Sequence, residues 1–226
     1  MAFALNFRNS PLPNPGSDYD PQYVRQLIRV LEIYFSQSDA WNLQLYQALT
    51  GVTGNNIVLP HIAASDSTDQ IATGNNIPTV VKWDTLDSGF GWTLNPPGSA
   101  TSTFAGVYKI TYSLQFINTD NAIHYVTVWL KVNNNDIPNS ATRFLVPSRK
   151  SATPGEEGFV CAYSEITFEV AVGDEIELYW ATNKAGNPTT PTTGVYMLHE
   201  PAQTTPFACP AVPSAVGSIT FVSAIP

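Results

Sequence analysis

The stretch GVYKITYSLQF, residues 106–116, decides the fold class of this chain. Bulky apolar residues alternate along it with polar ones, which is the period of a β-strand that buries one face and solvates the other. The next stretch, HYVTVWLKVN at 124–133, repeats the alternation. Tyr125 and Trp129 make its second face partly apolar as well, as expected of a strand that lies between two sheets or at a subunit contact.

Short runs of β-branched and aromatic residues continue on both sides of this pair, separated by turn residues. No helical crossover pattern separates them, which excludes a parallel α/β sheet. Short strands at such spacing predict a mainly β sandwich or jelly roll over residues 77–226. The predicted strands are 78–84, 102–117, 123–133, 140–147, 158–171, 175–183, 193–199 and 216–224.

The N-terminal quarter of the chain has a different character. Residues 1–19 contain PLPNPG and predict an extended arm, because Pro and Gly interrupt regular structure. Residues 20–50 predict one helix, or two broken near 36–39, with Asp20 as N-cap, Pro21 at the first helical position and a stop at Thr50-Gly51. Residues 51–76 are polar and rich in Gly and Asn, and we interpret them as a connector.

The predicted helix carries an apolar stripe with spacings of three and four residues. This stripe packs either on the chain's own domain or on copies of the chain. We favour copies, because the β-segments that follow can close on themselves and would leave the stripe exposed. The predicted oligomerising or docking residues are Tyr23, Val24, Leu27, Val30, Leu31, Tyr34 and Phe35.

Charge and composition exclude several functions. Only 12% of the 226 residues are charged, the net charge is −8, and the ten basic residues are scattered. A nucleic-acid surface needs clustered cations, so we expect no nucleic-acid partner. No apolar run reaches the length of a membrane span, and the N-terminus lacks a signal-peptide pattern, so we expect neither membrane insertion nor export by that route.

Motifs that carry chemistry are missing from the sequence. His61, His124 and His199 have no metal-ligand spacing, and neither a nucleophile elbow nor a phosphate-binding glycine loop occurs. We therefore predict no catalytic residue, metal or cofactor. Acidic pairs such as Glu165 with Glu169 leave a glycan-processing enzyme as an alternative, although they fit solvated strand positions better.

Cys161 and Cys209 are too few for a disulfide framework or a metal cluster. They stand 48 positions apart with no CxxC spacing. The sequence favours two buried thiols and leaves a disulfide between them as the alternative.

Aromatic residues are the remaining candidates for contacts. Sugar rings stack on exposed Trp and Tyr faces, which makes a surface glycan a possible ligand. The candidate ligand contacts are Trp83, Phe90, Trp92 and Tyr163, with core or subunit packing as the alternative. The predicted core or interface aromatics are Phe104, Tyr108, Tyr112, Phe116 and Trp129.

Three segments resemble the C1q and tumour-necrosis-factor class of jelly rolls. They are VVKWD at 80–84, GFGWTL at 89–94 and TSTFAGVYKITYSLQF at 101–116, where Phe104, Gly106 and Tyr108 match the family's aromatic and glycine positions. The resemblance implies a C1q/TNF-like sandwich that assembles as a compact homotrimer.

Two other segments resemble virion structural proteins of marine short-tailed (T7-like) phages: DYDPQYVRQLIRVLEIYFSQSD at 18–39 and FINTDNAIHYVTVWLKVNNNDIPNSATRFLVP at 116–147. This resemblance implies a non-enzymatic protein on the virion surface. We expect a tail fibre or surface appendage with a host-attachment role, or alternatively a capsid decoration trimer. The implied partners are further copies of the chain, portal, adaptor, tail or coat proteins, and a host surface glycan.

Overall fold

The computed structural model describes residues 21–50, 58–151, 153, 155–190 and 192–225, with the backbone alone at 43–50. The predicted arm at 1–19 and residues 51–57 of the predicted connector lie outside these residues. The chain divides into two units at Val58 and Leu59. The elements are α1 (Pro21–Thr50), β1 (His61–Asp66), β2 (Thr79–Val80), β3 (Thr85–Phe90), β4 (Trp92–Asn95), β5 (Ser99–Ser102), β6 (Gly106–Asn118), β7 (His124–Val132), β8 (Asn135–Asp136), β9 (Thr142–Val146), β10 (Gly158–Val170), β11 (Glu175–Thr182), β12 (Val195–Met197) and β13 (Ala215–Ser223).

The first unit contains the helix α1, which runs through Ser36–Asp39 without a break. Pro21 takes the first helical position, where a missing N–H costs nothing, and its carbonyl accepts a hydrogen bond from Arg25 Nε at 3.3 Å. Most of the described side chains of α1 are exposed, and these include large apolar residues such as Tyr34 and Phe35.

The second unit is a sandwich of two antiparallel sheets. The first sheet has the order β10–β6–β13–β1–β3, with β12 also paired to β6. The second has the order β4–β5–β11–β7–β8, with β2 paired to β11 and β9 paired to β7. Most connections cross from one sheet to the other, which is how a jelly roll is wound. The predicted fold class, a mainly β sandwich with an N-terminal helix, is confirmed.

Side chains from both sheets interlock in the core. The alternation along β6 buries Tyr108, Tyr112 and Phe116, as the sequence predicts. Phe116 contacts Trp180 of the second sheet with ring centroids 5.2 Å apart, and Tyr108 meets Trp92 edge to face at 5.1 Å. Aromatic rings at opposite ends of β6 therefore fix the spacing of the two sheets.

The structure differs from the predicted organisation between residues 59 and 102. β1 lies inside the segment interpreted as a connector and pairs with β13 on one side and β3 on the other. Its HIAASD sequence has little intrinsic strand preference, so the hydrogen bonds of its two neighbours determine its conformation. The short strands β3, β4 and β5 are likewise not among the predicted strands.

Candidate functional site

Two of the four candidate ligand contacts are buried. Trp83 is 8% exposed and Trp92 is 7% exposed. The ring of Trp83 lies so close to Gly217 that a Cβ added there would be 2.8 Å from it. Neither indole offers a free face to a sugar, which corrects the prediction that Trp83 and Trp92 contact a ligand.

The other two candidates, Phe90 and Tyr163, are exposed but lie apart. Phe90 is at the end of β3 and stacks on Phe104 with ring centroids 5.9 Å apart. The predicted interface residue Phe104 is exposed there, whereas Tyr163 lies on β10, at the opposite edge of the first sheet. The four predicted aromatics therefore do not form one binding site.

The outer face of the first sheet is the most distinctive surface of the second unit. Its centre consists of small uncharged side chains aligned across neighbouring strands. Ser113 of β6 pairs with Val216 of β13, which pairs with Ser65 of β1. One row along, Thr111, Ser218 and Ala63 are aligned in the same way. Small side chains make this centre flat, so another surface can approach it closely.

Larger side chains border the flat centre on the edge strand β10. Phe159, Cys161 and Tyr163 point outward in alternation and are all exposed. The Sγ of Cys161 lies 3.1 Å from the Oγ of Ser113. Cys161 and Cys209 are both free thiols, and the prediction that both are buried is wrong: Cys161 is exposed because its strand position faces outward, and Cys209 is half-buried.

Most charged side chains of this face lie near the start of β6 and the end of β10. Lys109 Nζ and Glu165 Oε2 are 3.4 Å apart, and both side chains are about half exposed. The row of Tyr163, Ser113 and Val216 carries no charged side chain, but at its β1 end Ser65 Oγ donates a hydrogen bond to Asp87 Oδ1 at 3.1 Å. Covering the row from Tyr163 to Val216 therefore desolvates no ion, whereas a contact that reached Ser65 would also approach the Asp87 carboxylate.

The outer face of the second sheet has the opposite character, because its aromatic rings already contact cations of the same chain. The Arg143 guanidinium lies 4.6 Å from the ring centroid of Tyr125, and Lys131 Nζ lies 4.6 Å from that of Tyr179. Cation–π contacts of this kind stabilise an exposed sheet face without a partner.

Trp129, a predicted interface residue, lies half-buried on this second face. Its Nε1 donates a hydrogen bond to Asp136 Oδ1 at 2.7 Å, and Lys131 Nζ lies 3.6 Å from the same carboxylate oxygen. Burial, and then the charge of Glu175, raise the pKa of Glu177 on the neighbouring strand. The polar groups around Trp129 are thus paired within the chain.

Two of the predicted acidic pairs lie on the outer faces of the sheets, away from the cavity in the core. Glu165 and Glu169 lie on the outer face of the first sheet, and Glu175 and Glu177 lie on the outer face of the second sheet. A cavity of about 30 Å³ between the sheets is lined by side chains such as Trp83 and contains no carboxylate; its size suits a single water molecule.

Metal ligands and membrane helices are likewise missing from the described part of the chain. Within it, no three His, Cys, Asp or Glu side chains come together as a metal site. Over the same residues, no helix has the length and apolarity that crossing a bilayer requires.

Sequence reasoning identified Tyr163 but missed Phe159, Cys161 and Val216. The signal is present in GFVCAYSEITFEV, residues 158–170, where the residues at odd positions form one face. Nothing local shows that this face is the outer one, because both sides of the strand are partly apolar.

Comparison with known proteins gives likenesses in structure alone. No family model matches the chain, and no curated protein matches it in sequence. The globular domain of zebrafish complement 1qA protein is similar to 74% of this chain over 99% of its own length, with 11% identity and a TM-score of 0.44. Murine APRIL, from a crystal structure at pH 5.0, is similar to 73% of this chain over its full length, with 11% identity and a TM-score of 0.41.

Proposed function

We propose that this chain is a non-enzymatic structural protein of a phage particle and that it assembles as a homotrimer through the outer face of the first sheet. The contrast between the two outer faces carries the proposal. One face pairs its aromatic rings with cations of the same chain, and the other combines a flat uncharged centre with exposed Phe159 and Tyr163. An exposed patch of that kind marks a protein contact.

The arrangement of large and small side chains favours a ring over a face-to-face pair. The large side chains are on the edge strand β10, and the small ones are in the middle of the sheet. The edge of one copy fits the middle of the next, which is a head-to-tail contact, and such a contact closes into a ring when the rotation between copies divides a full turn. Three copies is the number that the resemblance to C1q and TNF jelly rolls implies.

The size of the face follows from the length and number of its strands. β6 and β10 have 13 residues each, and the first sheet is five strands wide along its main path. At about 3.3 Å per residue and about 4.8 Å between strands, the face measures roughly 40 by 20 Å. That is about 800 Å², which in a head-to-tail ring is divided between the contacts to two neighbours.

The particle role rests on the two segments that resemble phage virion proteins, 18–39 and 116–147. In this proposal the N-terminal arm and α1 attach the chain to portal, adaptor or tail proteins. The jelly roll is then presented on the virion surface as a tail fibre or appendage with a role in host attachment. A 12% charged fraction fits a chain whose surfaces are largely covered by neighbours.

Two measurements test the proposal. Light scattering on the purified full chain should give about 74 kDa, three times the 24.6 kDa of one chain. A mass of one chain at all concentrations overturns the trimer.

Cross-linking mass spectrometry on purified particles tests the virion role and should join residues 1–50 to portal, adaptor or tail proteins. Cross-links to the coat protein alone would instead establish a capsid decoration protein, and absence of the chain from particles overturns the virion role.

A further inference from the structure

The described side chains of α1 follow a heptad repeat. With Val24 as the first position, Leu31 and Ser38 also take first positions, and Leu27 and Tyr34 take fourth positions. The sequence continues the repeat to Leu45 and Ala48. First and fourth positions form the seam of a coiled coil, and a repeat sustained over three to four heptads is the pattern that predicts one.

The charges of α1 are confined to the side opposite this seam. Its four charged residues are Arg25, Arg29, Glu32 and Asp39, and each takes a second or a sixth position of the heptad. The seam and its flanks are therefore free of charge along a helix about 45 Å long. Burying the seam against an identical helix desolvates no ion and brings no like charges together.

The flanks of the seam indicate more than two helices. In a two-stranded coiled coil the fifth and seventh positions border solvent and are often Glu or Lys. Here Ile28 and Phe35 take fifth positions and Val30 a seventh, and Ile28 and Phe35 are exposed in the single chain. An apolar stripe of this width is covered only when each helix meets two neighbours.

We infer that α1 packs in parallel with the α1 helices of two further copies of this chain, as a three-stranded bundle. The number three rests on the proposed function. The polar Ser38 layer in the apolar seam fixes the register, because a shifted pairing would place its hydroxyl among apolar side chains. The charged side of α1 then faces outward, where the proteins of the particle can reach it.

Disulfide trapping tests this packing with two matched serines of the full chain. Cys161 and Cys209 are first replaced by Ser, and then Ser38→Cys or Ser36→Cys is added. Ser38 is in the seam, whereas Ser36 takes a sixth position on the outer side. Helix axes 8–10 Å apart bring facing seam Cα atoms within about 6 Å, inside disulfide range, and keep the outer ones more than about 12 Å apart.

Under mild oxidation, S38C should give cross-linked chain pairs on a non-reducing gel at a level at least tenfold above S36C. Equal cross-linking of the two variants overturns the bundle. So does a chain that is trimeric by light scattering yet shows no S38C cross-link, and in that case the stripe belongs to a particle protein while the proposed jelly-roll trimer stands. A monomeric mass instead contradicts the proposed function, so the two failures are distinguishable.

Discussion

Replacing Tyr163 with Ala should dissociate the trimer without unfolding the chain. Tyr163 is 58% exposed on the outer face of the first sheet. A tyrosine carries about 200 Å² of surface, so a neighbouring copy would cover about 120 Å² of it. At about 25 cal/mol per Å², Tyr163→Ala removes about 3 kcal/mol from each contact, which weakens it on the order of a hundredfold.

Sedimentation equilibrium over a dilution series measures this effect directly. The unchanged chain should stay near 74 kDa, and the variant should approach the 24.6 kDa of one chain as its concentration falls. Because the Tyr163 ring points away from the core, the far-ultraviolet circular dichroism of the variant should match that of the unchanged chain.

Phe207→Ala provides the matched control. Phe207 is 65% exposed in the loop between β12 and β13 and belongs to neither sheet. Its removal should leave the mass unchanged. The assignment of the face is refuted if Tyr163→Ala keeps the mass of the unchanged chain at every dilution, or if both variants dissociate alike.

Three further outcomes are expected. The buried Asn118 amide donates hydrogen bonds to the carbonyls of residues 122 and 147 at 2.8 and 2.9 Å. Asn118→Ala should therefore lower the free energy of unfolding, measured by urea titration, by about 3 kcal/mol. An unchanged unfolding midpoint would contradict a stabilising role for these two hydrogen bonds. The hydrogen bond from His124 lowers the pKa of Asp120, so this carboxylate stabilises the fold above its unfolded-state pKa and loses that effect as pH falls through its folded-state pKa. Unfolding midpoints of the unchanged chain and Asp120→Asn should therefore differ at pH 7 and converge once the pH is below the folded-state pKa of Asp120; a difference that stays constant with pH would contradict this. Cys161 should react slowly with a maleimide in the assembled chain and faster in Tyr163→Ala, whereas equal rates would place it outside the contact.

The alternation of residue types determined the strands and the core. The sequence GVYKITYSLQF forms β6, and its bulky side chains Tyr108, Tyr112 and Phe116 are buried as the period of two predicts. The long helix was predictable for a similar reason, because Pro21 and a stripe with spacings of three and four residues are local signals. Such patterns predict the folded structure well because each depends only on residues that are close together in the sequence.

Pairing between distant segments was not predictable. β1 has a weak pattern of its own and becomes a strand because β13, some 150 residues later, and β3 complete its hydrogen bonds. Trp83 and Trp92 were predicted as candidate ligand contacts, with core packing as the alternative, and both are buried. Gly217, which lies against Trp83, comes more than 100 residues later in the chain, and Tyr108, which packs edge to face on Trp92, belongs to the opposite sheet.

The sequence alone determined that this chain is a mainly β sandwich preceded by a helix with an apolar stripe. Only the tertiary structure decided which aromatic side chains face outward and which of the two sheet faces is left without partners. The physical reason is that a period of two divides a strand into two sides but does not say which side is covered. That choice is made by the opposite sheet, whose residues come from other parts of the chain.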